Sequence, residues 1–171
     1  MILILGILTE KEIKELPKRF DTVPYNTFFK LWYALQKALP SNQKEEILTR
    51  IGRTIGGEFD NEGIETIDDF LYRLRRFLEQ EWAITDNAKV DIVKDEKGNI
   101  TKILAKQDSC KMCFANTYYR YHDYGSPACM FPQVMMGILL KVRSTFGFKN
   151  IRFEGVNKGG VGECAMVWNV N

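Results

Sequence analysis

One histidine, His122, serves the whole 171-residue chain, and the first 109 residues contain no cysteine. A lone histidine with no serine or cysteine fixed beside it is a poor basis for a catalytic triad. Charge of one sign is also scarce. Lys and Arg number 24 against 22 Asp and Glu, a net charge of +2, which gives no electrostatic case for nucleic acid as the main partner. No window of about 18 residues is free of charge, so no membrane-spanning helix is expected. The longest apolar stretch, Ala128 to Leu140, fits a buried helix instead. The opening Met1–Leu8 is apolar but has no basic region before it and no small-residue cleavage site before Glu10 and Lys11. The expectation is a cytoplasmic chain whose cysteines are not disulfides. Missing too are GxGxxG, a P-loop and HExxH, and any linker, repeat or low-complexity segment. Hydrophobic residues at 45% and charged residues at 27% exclude a disordered, collagen-like or rod-like chain. One domain over residues 1–171 is expected.

What is present begins with helical spacing. Thr9-Glu-Lys-Glu12 fits a capping box, and Pro17 limits the helix that follows. Phe28, Leu31, Trp32, Leu35 and Leu39 predict a second helix stopped by Pro40. Ser41 can cap a third, with stripe Ile47, Leu48, Ile51 and Ile55 and an end at Gly56-Gly57. Thr66 can cap a fourth, with Asp68 and Asp69 in its first turn and a stripe of Ile67, Phe70, Leu71, Leu74 and Leu78. These stripes are most simply core faces. After Trp82 the pattern changes. Val90–Val93 and Ile100–Leu104 flank Asp95-Glu-Lys-Gly-Asn99, a hairpin with glycine in its turn.

The segment from Asp108 to Pro127 has no clean period and carries Cys110-Lys-Met-Cys113 and Tyr118, Tyr119, Tyr121 and Tyr124. Phe131, Val134, Met135, Ile138, Leu139, Val142 and Phe146 then mark a strong helix, with Pro132 in its first turn and Gly147 past its end. Two strands follow, near Asn150–Gly155 and Glu163–Val170, with a turn at Asn157-Lys-Gly-Gly160. Helical and strand runs are segregated. The fold class is therefore α+β: N-terminal helices packed with an antiparallel sheet of two hairpins that an apolar helix separates.

All four cysteines fall in the last 62 residues: Cys110, Cys113, Cys129 and Cys164. The two-residue spacing of Cys110 and Cys113 lets two thiolates bind one metal, against the plainer reading of two small buried hydrophobes. A thioredoxin-like role lacks its strand–CxxC–helix context, and Phe114 excludes a c-type haem signature. Cys129 precedes a helix, where unpaired N–H groups and the dipole favour a thiolate, as ligand or nucleophile. Cys164 shares a strand face with Met166 and Trp168. If Val156 pairs with Gly162, Glu154 falls opposite Cys164 and becomes an alternate ligand, unless it is a solvated strand residue. His122 is a further alternate, equally readable as a pocket donor or a surface residue. Gly159-Gly160-Val-Gly162 does not open a helix and reads as a hairpin turn.

The run Cys129-Met-Phe, Gly137-Ile-Leu, Phe153-Glu154-Gly-Val-Asn157 and Gly162-Glu-Cys164-Ala-Met resembles the C-terminal part of the 4-vinyl reductase, or hydrocarbon-binding, domain. The order of helices and hairpin before it agrees as well. The resemblance matches Cys129 to the first metal ligand of that family, Glu154 to its motif glutamate and Cys164 to its last cysteine. Asn157 stands where the family has a middle cysteine, and Met166 where it often has phenylalanine; Cys110 and Cys113 would restore the ligand count. The family shares its fold with core subunits of the TRAPP vesicle-tethering particle and is often homodimeric. Its roles include sensing small aromatic or hydrophobic molecules and a part in bacteriochlorophyll vinyl reduction.

The expectation is a small hydrophobic-molecule binding or sensing module, a homodimer with one structural Zn²⁺. The metal would be held by Cys110, Cys113, Cys129 and Cys164, with Glu154 and His122 as alternates and no catalytic residue assigned. The alternatives are an enzyme, either a vinyl-reductase partner or a hydrolase using Cys129 or Cys164, and an assembly subunit of a protein complex.

Overall fold

Leucine and aromatic side chains at helical spacing ahead of Pro40 form α1, Tyr25–Ala38, whose Trp32 is buried and whose Leu35 and Leu39 are half-buried. The computed structural model describes residues 25–40, 42–113, 129–158 and 162–171. The helix expected at Thr9, the cap expected at Ser41, the run Tyr118–Tyr124 and His122 lie outside the described residues. Helix α2, Lys44–Gly57, starts after Gln43, which makes no side-chain cap. Helix α3, Ile67–Arg76, starts as its sequence dictates. The Thr66 hydroxyl accepts the Asp69 N–H at 3.2 Å, and the Asp69 carboxylate accepts the Thr66 N–H at 3.0 Å, a complete capping box. The helix continues into a π-turn, Phe77–Glu81.

Strands β1, Asn87–Lys94, and β2, Ile100–Asp108, form the first hairpin. Gly98, at φ 83°, takes the left-handed position that its turn needs. Asp95 accepts the N–H groups of Lys97 and Asn99 across the turn. The apolar run becomes α4, Phe131–Lys141, and a short α5, Arg143–Phe146, which Gly147 ends at φ 67°. Strands β3, Arg152–Lys158, and β4, Cys164–Asn169, complete one antiparallel sheet in the order β1-β2-β4-β3. The class is α+β. Both hairpins join edge to edge through β2 and β4.

One face of the sheet is buried, with Ala88, Ile103, Ala105, Gln107, Met166 and Trp168 on it. Phe131, at the start of α4, stacks on Trp82 at 6.1 Å and meets Trp168 edge-on at 6.4 Å. Behind α4 lies α2, and there the backbones touch. A methyl group on Gly52 would stand 2.8 Å from the Met130 carbonyl oxygen. On Gly56 it would stand 2.1 Å from the Val134 oxygen, and on Gly137 it would stand 2.8 Å from the Arg53 oxygen. The helix ends at Gly56-Gly57 as its sequence predicts, and Gly56 is in addition a contact residue of the seam. Polar bonds close the same seam. Lys141 Nζ donates to the Gly57 carbonyl at 2.8 Å, and Arg53 Nε donates to Gln133 Oε1 at 3.3 Å.

Two neighbouring glycines therefore respond to the same change with opposite sign. Gly56→Ala forces α2 and α4 apart and is expected to destabilise the protein by about 3 kcal/mol, lowering Tm by roughly 6–12 °C. Gly57 has nothing within 4 Å of an added methyl group. Gly57→Ala is expected to gain ~0.5–1 kcal/mol through helix propensity. Thermal denaturation of the two variants beside the parent checks both signs.

Candidate metal centre

The end of β2 sets the centre's geometry. Ser109 adopts φ 55°, a left-handed conformation uncommon outside glycine, and turns the chain out of the strand. The next residues begin a helical turn at 111–113. That turn is anchored on three sides. The Cys110 N–H donates to the Gly162 carbonyl at 3.0 Å, just ahead of β4. The Lys111 N–H donates to Ile84 O at 2.9 Å, and Lys111 Nζ donates to Ala83 O at 2.7 Å. Ala83 is the other non-glycine with positive φ, at 50°. Both positive-φ residues thus flank one small turn.

Cys110 is buried, and Cys113 and Cys164 are half-buried. Cys164 opens β4 beside Gln107 of β2, three residues before Cys110. Cys129 lies two residues ahead of α4, which the Phe131 stacking and the glycine seam hold in place. Segments distant in sequence therefore bring cysteine residues toward one end of the sheet, without grouping three of them closely enough to hold an ion. Burial pushes the Cys129 thiol up to about 12, against a pull from the Phe131 N–H; the charges that Cys110, Cys164 and Cys113 would carry push it further. Water still reaches the Cys129 residue, which moderates the shift without changing its direction. Burial also raises Cys110, while the backbone N–H groups of Cys113 and Met112 donate toward its sulfur and the Cys113 charge opposes ionisation.

This reverses one expectation. The N-terminus of α4 does supply an N–H to Cys129, but crowding outweighs it, and the thiol is held protonated instead of poised as a thiolate. The alternate ligand Glu154 is also elsewhere. Lys158, not Glu154, pairs with Cys164, because β3 runs on through Asn157 and Lys158, where the turn was expected. Four residues of strand separate Glu154 from that position, roughly 13 Å. Glu154 instead binds Lys102 at 3.1 Å and accepts from Asn169; these bonds, Lys102 first, lower its pKa. His122 lies outside the described residues.

Sequence reasoning missed Gln107. Its side chain is 2% exposed, and neither amide atom has a hydrogen-bond partner. Alternation along β2 gave a signal, since Gln107 continues the inward row of Ile103 and Ala105. An orphaned buried amide group costs about 1–3 kcal/mol per atom. Among the described residues, no three His, Cys, Asp or Glu side chains are grouped closely enough to hold an ion. The donor chemistry nevertheless suits a soft divalent ion: four sulfurs, with N–H groups already aimed at Cys110 and Cys129. No protein-family model matches the chain, and no curated protein does. Among the described residues, no helix is long and apolar enough to cross a membrane.

The thiol shift has a defined pH signature in metal-free protein. The folded pKa of Cys129 lies above its ordinary value of 9.0. Its contribution to stability is therefore fully present below that value and is lost as pH rises toward about 12. Chelator-treated parent is expected to lose stability more steeply above pH 9.0 than Cys129→Ser, which has no thiol to ionise. Urea midpoints measured at stepped alkaline pH check this; parallel curves would contradict the crowding argument.

Proposed function

We propose that the chain is a small hydrophobic-molecule binding module, homodimeric, whose C-terminal half is tied together by one structural Zn²⁺ on Cys110, Cys113, Cys129 and Cys164. The observation that supports the reading is that the fold carries Cys164 beside Gln107, Cys110 against Gly162, and Cys129 near enough to the other three sulfurs for their charge to oppose its ionisation. Burial makes Cys110 and Cys129 unfavourable as separate anions. A divalent cation removes that conflict by taking up their charge. The resemblance to the hydrocarbon-binding domain supports an apolar ligand, and the aromatic layer of Trp82, Phe131, Phe153 and Trp168 supplies a surface of suitable chemistry. Leu31, 63% exposed on α1, supports pairing through the N-terminal helices. The upward thiol shifts run against a free cysteine nucleophile.

Native mass spectrometry and elemental analysis of untagged protein test the reading. One zinc per chain, a dimer mass and a co-purifying apolar molecule are expected. Cys129→Ser and Cys164→Ser should each lose the metal. Structural zinc contributes on the order of 10 kcal/mol in peptides that have no other core. This chain has its own core, so a loss of about 3 kcal/mol is expected, seen as a Tm lower by roughly 6–12 °C. Zinc well below one per chain, with both variants as stable as the parent, would overturn the metal site.

A further inference from the structure

Cys110 and Cys113 stand at the two ends of one tight turn. The Cys113 N–H donates to the Cys110 carbonyl at 3.0 Å, the bond between residues three apart that closes such a turn. A closed turn holds its end Cα atoms within about 7 Å, and a disulfide spans Cα atoms about 4.4–6.8 Å apart. The Cys110 sulfur also leans over the turn, since the N–H groups of Met112 and Cys113 donate toward it. It is thus within hydrogen-bond reach of the nitrogen next to the Cα that bears the second thiol. The turn is held from outside by the bonds to Gly162, Ile84 and Ala83, and neither sulfur takes part in any of them. The context that the sequence did not reveal is therefore built. Strand β2 ends at Asp108, Ser109 turns the chain, and helical residues 111–113 follow Cys110. Exposure separates the two thiols: Cys110 is 3% exposed, whereas Cys113 is half-buried.

We propose that Cys110 and Cys113 form a reversible dithiol–disulfide pair, oxidised by the disulfide of a small thiol, with Cys113 as the point of attack and Cys110 as the resolving thiol. The Cys113 thiolate attacks one sulfur of the small disulfide, a mixed disulfide forms, and the first small thiolate leaves. Cys110 then attacks the Cys113 sulfur, the mixed disulfide breaks, and the second small thiolate leaves. The two protons of the cysteines pass to the two leaving thiolates, and two electrons pass from the protein sulfurs to the small disulfide. The buried Cys110 enters only in the second step, which happens within its own turn and needs no access for an outside molecule. Because the outside anchors of the turn do not use sulfur, they persist in both states, and reduction returns the same turn. The inference is independent of the zinc reading: it needs two sulfurs of one turn, not four from three segments.

The sequence supplies a direct readout. Lys111 lies between the two cysteines, so trypsin leaves residues 107–111 and 112–120 joined only where a disulfide links Cys110 to Cys113. Chelator-treated protein is incubated with oxidised glutathione, its remaining thiols are alkylated, and the digest is read by mass spectrometry. The parent is expected to give that linked pair of peptides as its main disulfide, and dithiothreitol is expected to abolish it. Cys110→Ser should stop half-way, with one glutathione held on Cys113. Cys113→Ser should leave Cys110 without glutathione. Linkage of either cysteine to Cys129 or Cys164 in place of the pair, glutathione retained on Cys113 of the parent, or both thiols recovered alkylated would each overturn the inference. If Cys110→Ser fails to fold, the parent digest and Cys113→Ser decide. Zinc in the native protein is measured separately: its absence with the linkage present removes the zinc reading alone, and its presence with no linkage in the chelated protein removes this inference alone.

Discussion

The contact on which the rest of the structure depends is the backbone-to-backbone approach of α2 and α4. Helices normally meet through side chains, with axes held apart by what lies between them. Here Gly52, Gly56 and Gly137 remove those side chains, and carbonyl oxygens of one helix stand where a methyl group of the other would be. Such a contact has little tolerance in position or rotation. It fixes the azimuth of α4, and with it the side of the helix that carries Phe131, Val134, Met135 and Ile138 into the core. Phe131 is then held between Trp82 and Trp168, so the first turn of α4 has one available position relative to β4. Cys129 stands immediately before that turn. A helix crossing in the first half of the chain thereby determines where a cysteine in the second half can be.

The other sulfurs are placed by the sheet. Pairing of β2 with β4 brings Cys164 beside Gln107, and the left-handed turn at Ser109 folds Cys110 back toward Gly162. Placement by rigid elements matters because the thiols gain nothing from one another when protonated. They are weak donors and weak acceptors. As anions they repel, and burial strengthens that repulsion. Helix packing and sheet register, not attraction between the sulfurs, hold the group together.

Most of the scaffold was legible wherever a local rule and the core agreed. The Thr66 capping box, the glycine turn at Gly98, the stop at Gly147 and the apolar stripe from Phe131 all appear at the positions their residues predict. Misreadings came where a nonlocal contact decided the outcome. Gly56 does stand at its helix end, but its second role, the approach to Val134, was hidden because that partner is 78 residues away in the chain. Glu154 seemed to face Cys164 because the turn was placed at Asn157–Gly160; β3 instead continues through Lys158, which takes the position opposite Cys164 and leaves Glu154 beside Asn169 and Lys102. Cys129 was expected to be acidic from its helix terminus alone, and the burial that reverses its shift is a property of the assembled fold. Spacing identified the Cys110–Cys113 pair, but nothing in spacing could show that an amide, Gln107, would be enclosed with them.

The same features argue between a closed site and a reactive one. A nucleophilic cysteine needs its thiolate stabilised by a nearby base or cation, with solvent access for its substrate. Around Cys110 the stabilising donors are backbone N–H groups of its own turn, and the sulfur is buried beneath them. The ionisable groups that act on Cys129 are other thiols, Cys110, Cys164 and Cys113, which raise its pKa instead of lowering it. Lys111 is committed to the Ala83 carbonyl and to Asp86 at 3.6 Å. Every nearby group for which a role is visible therefore either resists ionisation or is engaged in holding the turn. An environment of that kind opposes ionisation of Cys110 and Cys129 and runs against a reactive thiolate at either position.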